Sequence, residues 1–133
     1  MQNILLILLL SVLLLTGCTA TPNAAKANTY RQITMTEAVE MMEQEENYTI
    51  VDVRTEQEFV SGHIPGAILV PNETIGMQEI SHLPDKDQLI MVYCRSGNRS
   101  KQASDKLVKL GYTNIVEFGG IIDWPGETVS GIK

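Results

Sequence analysis

The sequence predicts an α/β layer fold with a mainly parallel central sheet, and three observations carry that expectation. β-branched apolar runs alternate along the chain with amphipathic helical stretches, the order expected of repeated strand–helix–strand units. One such run, Leu89 to Tyr93, is apolar enough to read as a buried strand. Polar residues with chemical potential, Asp52 and Cys94, stand at strand carboxyl ends, where open α/β sheets form their sites. With 133 residues and 44% hydrophobic content, the chain has the ordinary composition of a globular protein and material for one domain.

The first segment is set apart from the fold. Ile4 to Leu15 is an almost unbroken apolar run, shorter than the roughly 20 residues of a spanning helix and suited to a signal-peptide core. It closes on Leu15-Thr16-Gly17-Cys18, which resembles the bacterial lipobox, although Met1-Gln2-Asn3 supplies no lysine or arginine. That resemblance implies a lipid on Cys18 as the mature N-terminus, hence a membrane-anchored lipoprotein of the cell envelope, outside the cytoplasm. Residues 1–17 are read as signal peptide, 18–29 as tether and 30–133 as the folded domain. Thr19 to Thr29 is small and polar, and random-coil scaling gives such a tether a reach of about 18 Å.

Within the domain, Thr34 with Glu37 forms a capping box. Met35, Ala38, Val39 and Met42 follow at the spacing of one helix face. Thr49 to Val53 reads as a strand. Thr55 with Glu58 makes a second capping box for a short helix through Phe59. Gly62 to Gly66 is a turn, Ala67 to Val70 a strand ended by Pro71, and Asn72 to Ser81 a weak helical segment interrupted by Gly76. After the strand Leu89 to Tyr93 comes a helix from Ser100 to Leu110, stopped by Gly111. Ala103, Leu107 and Leu110 are its expected buried face, and Lys101, Asp105 and Lys109 its solvated stripe. Asn114 to Phe118 is the last strand, and Gly119-Gly120 opens a brief turn or helix carrying Trp124.

The chemistry concentrates between the strand Leu89 to Tyr93 and the helix after it, in Cys94-Arg95-Ser96-Gly97-Asn98-Arg99-Ser100. A cysteine at a strand-to-helix junction faces successive backbone N–H groups and a helix N-terminus, which favour an anion. Such surroundings lower a thiol pKa and populate the thiolate, the reactive nucleophile. Arg95 and Arg99 add positive charge, and Gly97 allows the loop to curl. Net charge over the whole chain is −6, which argues against nucleic acid and leaves the arginines as a local spot for a small anion.

Other polar residues receive scaffold roles. Asp52 is expected to accept backbone N–H bonds, Arg54 to pair with Glu58 across a helix start, and His63 to be structural within its turn. Two histidines and one free cysteine, widely separated, give no metal-ligand spacing, so neither a metal nor another cofactor is expected.

The order of these pieces resembles a single rhodanese domain. Val51-Asp52-Val53-Arg54, Glu58-Phe59 and Gly62-His63-Ile64-Pro65-Gly66-Ala67 are similar to the N-terminal signature of that family. Cys94 to Ser100 is similar to its active-site loop, and Val116-Glu117-Phe118-Gly119-Gly120 with Trp124 to its C-terminal signature. The resemblance implies a three-layer fold with helices flanking the sheet, and sulfurtransferase chemistry from thiosulfate or a related donor, through a persulfide on Cys94, to cyanide or a thiol. It also implies that Arg95 and Arg99 orient the anion and that the amides of Ser96, Gly97, Asn98 and Arg99 stabilise the sulfur. A non-catalytic or sulfur-relay module beside a membrane partner is the alternative. A phosphatase or arsenate reductase fits less well, because Arg99 falls one residue earlier than the tyrosine-phosphatase-type signature requires.

Overall fold

The computed structural model describes residues 29–132, so the signal-peptide, lipobox and most tether expectations, Cys18 included, lie outside the described residues. The chain runs through β1 (Arg31–Gln32), α1 (Met35–Gln44), β2 (Tyr48–Asp52), α2 (Glu56–Ser61), β3 (Ile68–Leu69), β4 (Leu89–Cys94), α3 (Asn98–Lys109) and β5 (Ile115–Gly120). The strands form one sheet in the order β1-β5-β4-β2-β3, and every pairing is parallel.

Strand alternation divides the core between the two sheet faces. Ile90, Val92 and Cys94 of β4 join Ala103 and Leu107 of α3 on one side. Met91 and Tyr93 join Ala38 of α1 and Phe59 of α2 on the other. All six residues of β4 are buried, as a strand flanked on both edges and both faces must be. The successor of β2 lies to one side of it, whereas that of β4 lies beyond β4 on the other. The carboxyl ends of β2 and β4 therefore flank the point where the connections reverse, the usual place for a site in an open α/β sheet.

Both capping boxes form, Thr34 with Glu37 and Thr55 with Glu58, each satisfying N–H groups that a helix start leaves open. Three expectations are corrected. Asn72 to Ser81 holds only a single 3-10 turn, Asn72–Thr74, and Gly76 lies beyond it at φ +96°. Leu110 is 37% exposed, so Ser104 and Val108 complete the inner face of α3 beside Ala103 and Leu107. The helix also begins two residues early, at Asn98, which brings its first turn directly to the cysteine loop.

Candidate active site

Cys94 is the last residue of β4 and is only 1% exposed. Its Sγ accepts a hydrogen bond from the Gly97 N–H at 3.0 Å and lies 3.4 Å from Ser100 Oγ. Gly97 serves as N-cap of α3 at φ +107°, a left-handed conformation that favours glycine, and turns the chain straight into the helix. Among the described residues no side chain caps α3, so its first-turn donors stay available to an anion. Gly120 makes room for the loop: a Cβ there would overlap the Arg95 carbonyl and the Ser96 Cα.

Burial pushes the thiol up, because an isolated charge is poorly solvated there. The Ser100 hydroxyl, when its proton turns to sulfur, and the amides of Ser100, Gly97 and Ser96 outweigh that effect and bring the thiol below its usual value. Of the four amides expected to stabilise the sulfur, that of Gly97 donates to Sγ and that of Ser96 also favours the thiolate. Ser100 adds a contribution the sequence reading missed, while Asn98 and Arg99 take their places in the first turn of α3.

The arginines divide their work. Arg95 is exposed on the loop, and its carbonyl accepts from Ile122 N at 3.3 Å. With Arg54, Glu58, Ser61, Ile121 and Ile122 it lines an open cleft of about 430 Å³. Arg99 makes a two-pronged ion pair with Glu58, at 2.7 and 2.8 Å, tying α3 to α2. After Glu58, an ionised Cys94 also helps to keep its guanidinium charged. The expected Arg54–Glu58 pair is thus replaced: Glu58 holds Arg99, while Arg54 turns inward to Asp52 at 2.6 Å. The swap follows from geometry, since the Glu58 carboxylate is already turned toward Thr55 by the capping box and opens toward α3.

Hydrogen bonding to Arg99 is the main cause that holds the Glu58 carboxyl down, from 4.5 to about 2, with Thr55 assisting against a modest opposing effect of burial. A depressed carboxyl contributes stability that is fully present above its unfolded value and lost as pH falls through its folded one. Thermal stability should therefore decline between about pH 4.5 and 2 in part through Glu58. Glu58→Gln should flatten that part of the pH–Tm curve while lowering Tm by a few degrees near neutrality. A mutant curve parallel to the parent's across that window would show that the pair adds nothing.

Asp52 gathers three donors at the end of β2. Fully buried, it accepts from Arg54 N at 2.9 Å, from the Arg54 guanidinium, and from the Tyr93 hydroxyl at 2.7 Å. The same Tyr93 oxygen accepts from Ile64 N at 3.1 Å, so the network fixes the turn after α2 to the end of β4. His63 lies buried in its turn. Its Nδ1–H donates to the Phe59 carbonyl at 2.9 Å, and its ring stacks on Phe59 with centroids 3.7 Å apart.

Sequence reasoning gave no role to Glu117. This residue is 3% exposed and accepts from Ser100 Oγ at 2.6 Å and from Gly119 N at 2.8 Å. The sequence did hold a signal, a lone acid between Val116 and Phe118 in an otherwise apolar strand. Strand periodicity turns it to the α3 side, with Ile115, directly under the loop.

Known proteins resemble this chain in sequence and in fold. Residues 34–126 match the family described as Rhodanese-like domain. Thiosulfate sulfurtransferase PspE of Escherichia coli is 33% identical over 81 residues, covering 61% of this chain and 78% of that protein. Thiosulfate sulfurtransferase GlpE of Pseudomonas entomophila is 34% identical over 91 residues, covering 65% of this chain and 82% of that protein. A solved structure described as a rhodanese with anions from E. coli superposes with a TM-score of 0.58 at 32% identity, covering 63% of this chain and 99% of that one.

Proposed function

Because the chain belongs to the rhodanese-like domain family and is a rhodanese-type sulfurtransferase, we propose that it moves sulfane sulfur from thiosulfate, through a persulfide on Cys94, to cyanide or a thiol. The observation that carries this reading is the seat of Sγ: buried, bonded to the Gly97 amide, and set at the open start of α3.

In the first half-reaction the Cys94 thiolate attacks the outer sulfur of thiosulfate. A sulfur–sulfur bond forms at Cys94, the bond to the sulfonate breaks, and the electron pair departs with sulfite. The terminal persulfide sulfur retains one negative charge, which the loop amides are placed to hold. In the second half-reaction the acceptor attacks that sulfur, and the thiolate is restored. Dividing the transfer in this way replaces one difficult step by two easier ones. Arg95, exposed at the cleft, draws the sulfonate, and Arg99 adds a positive field while tied to Glu58.

Incubating the full chain with thiosulfate should add the mass of one sulfur atom on Cys94, and cyanide should remove it with release of thiocyanate. Failure of thiosulfate to leave any adduct would exclude it as donor. Failure with other sulfane donors too would exclude the persulfide route.

The location inferred for this chemistry is the cell envelope, with the domain held to a membrane through a lipid on Cys18. Its support is the apolar run ending in Leu15-Thr16-Gly17-Cys18. Cys18→Ala should leave the chain unprocessed or release it from the membrane fraction. Normal processing and retention would exclude the anchor.

A further inference from the structure

One buried group beside the sulfur has no part in the two half-reactions. Glu117 Oε1 accepts from Ser100 Oγ at 2.6 Å, and Ser100 Oγ is 3.4 Å from Cys94 Sγ. The same carboxyl oxygen would lie 3.9 Å from a Cβ on Gly97, so the acid sits directly beneath the loop that cradles the sulfur. The arrangement spans three elements, β4, α3 and β5, and all three residues are buried.

A serine hydroxyl has a single proton to donate, and around Ser100 Oγ the acceptors are Glu117 at 2.6 Å, the Gly97 carbonyl at 2.9 Å, and the sulfur and the Gly119 carbonyl at 3.4 Å. Turned to the sulfur, that proton stabilises a thiolate. Turned to Glu117, it leaves an oxygen lone pair toward Sγ, which accepts S–H and repels S⁻. The contact to Glu117 is the shortest of these and draws the proton away from the sulfur. We propose that Glu117 is a positioning residue which competes with Cys94 for the Ser100 proton and thereby restrains ionisation of the thiol and preserves the basicity of its sulfur. The proposal rests on the sulfurtransferase reading for its purpose.

That purpose is chemical. Loop amides alone make a thiolate plentiful but sluggish, because nucleophilicity falls as acidity rises, with a Brønsted slope of about 0.4–0.5. A counterweight keeps the sulfur reactive toward the donor. The other charged groups near the loop are differently engaged: Arg99 of α3 with Glu58 of α2, Arg54 with Asp52 at the end of β2, and Tyr93 of β4 with Asp52. Arg95 stands exposed on the loop itself. Glu117 has no ion-pair partner among the described residues.

The test is the pH dependence of Cys94 alkylation by iodoacetamide in the full chain, comparing the parent with Glu117→Gln. Glutamine keeps an acceptor for Gly119 N–H and Ser100 but gives up the charge. The midpoint should fall by about one pH unit. The limiting rate constant above it should fall about two- to threefold, as the Brønsted slope requires. A loosened loop alone would not produce this paired shift. A midpoint unchanged or raised in the folded variant overturns the proposal.

Should that variant fail to fold, the unmodified chain still decides. The Glu117 carboxyl carbon resonance should step at the midpoint of the thiol, and the step should vanish once Cys94 is alkylated. No step at that pH overturns the proposal. Neither readout requires sulfur transfer, so failure here and failure of thiosulfate as donor are distinguishable.

Discussion

Cys94→Ser is expected to bring sulfur transfer to background while leaving the fold intact. Serine is close in size, and the Gly97 amide and Ser100 remain to hydrogen-bond its oxygen, so the loop has no reason to open. Chemistry is lost for a different reason. An alcohol is far less acidic than the thiol, which the surroundings of Cys94 bring below its usual value, and oxygen cannot carry a second sulfur as a persulfide. Rate should therefore collapse in both half-reactions, with no adduct seen by intact mass and a melting temperature within a few degrees of the parent. Transfer by Cys94→Ser at a rate comparable with the parent would move the nucleophile elsewhere and dissolve the assignment.

Asp52→Ala should be the most destabilising substitution at the site, costing about 3–5 kcal/mol, because it strands a buried charge. Burial disfavours the Arg54 cation, yet hydrogen bonds and charge from Asp52 more than offset this and raise its pKa. The side chain of Arg54 is only 7% exposed and cannot retreat to water without opening the end of β2. The Tyr93 hydroxyl loses its acceptor as well; burial and then the Asp52 charge are what push that phenol up in the parent. Asp52→Asn, which keeps an acceptor but not the charge, should cost less. Denaturant unfolding with an unchanged m-value reads the difference directly. An alanine variant within 1 kcal/mol of the parent, below the cost of even a modest unpaired buried group, would mean that the pair contributes no net stability.

What was legible in the sequence was local. Both capping boxes are read from residues three apart, and the cysteine loop follows from an apolar run meeting a short polar segment. The fold class followed from the order of those runs. What was not legible depends on partners distant in sequence. Arg99 finds Glu58, rather than Arg54 finding it, because α3 and α2 meet only in the folded sheet. The edge strand Arg31–Gln32 has exposed polar side chains and hence no hydrophobic pattern to betray it; its place comes from backbone pairing with Val116 and Glu117. Leu110 looked like core by spacing, but the helix ends before its side chain can turn inward.

The parallel sheet has a consequence for how the protein is made. Among the described residues no two neighbouring strands are joined by a hairpin, so each pairing must await a segment delivered across a crossover. Among the described residues, the first strand to leave the ribosome, at Arg31, docks only on the last, at Val116. Completion on the ribosome is therefore closed off until nearly the whole domain has emerged, and the growing chain must stay unassembled at that edge throughout synthesis.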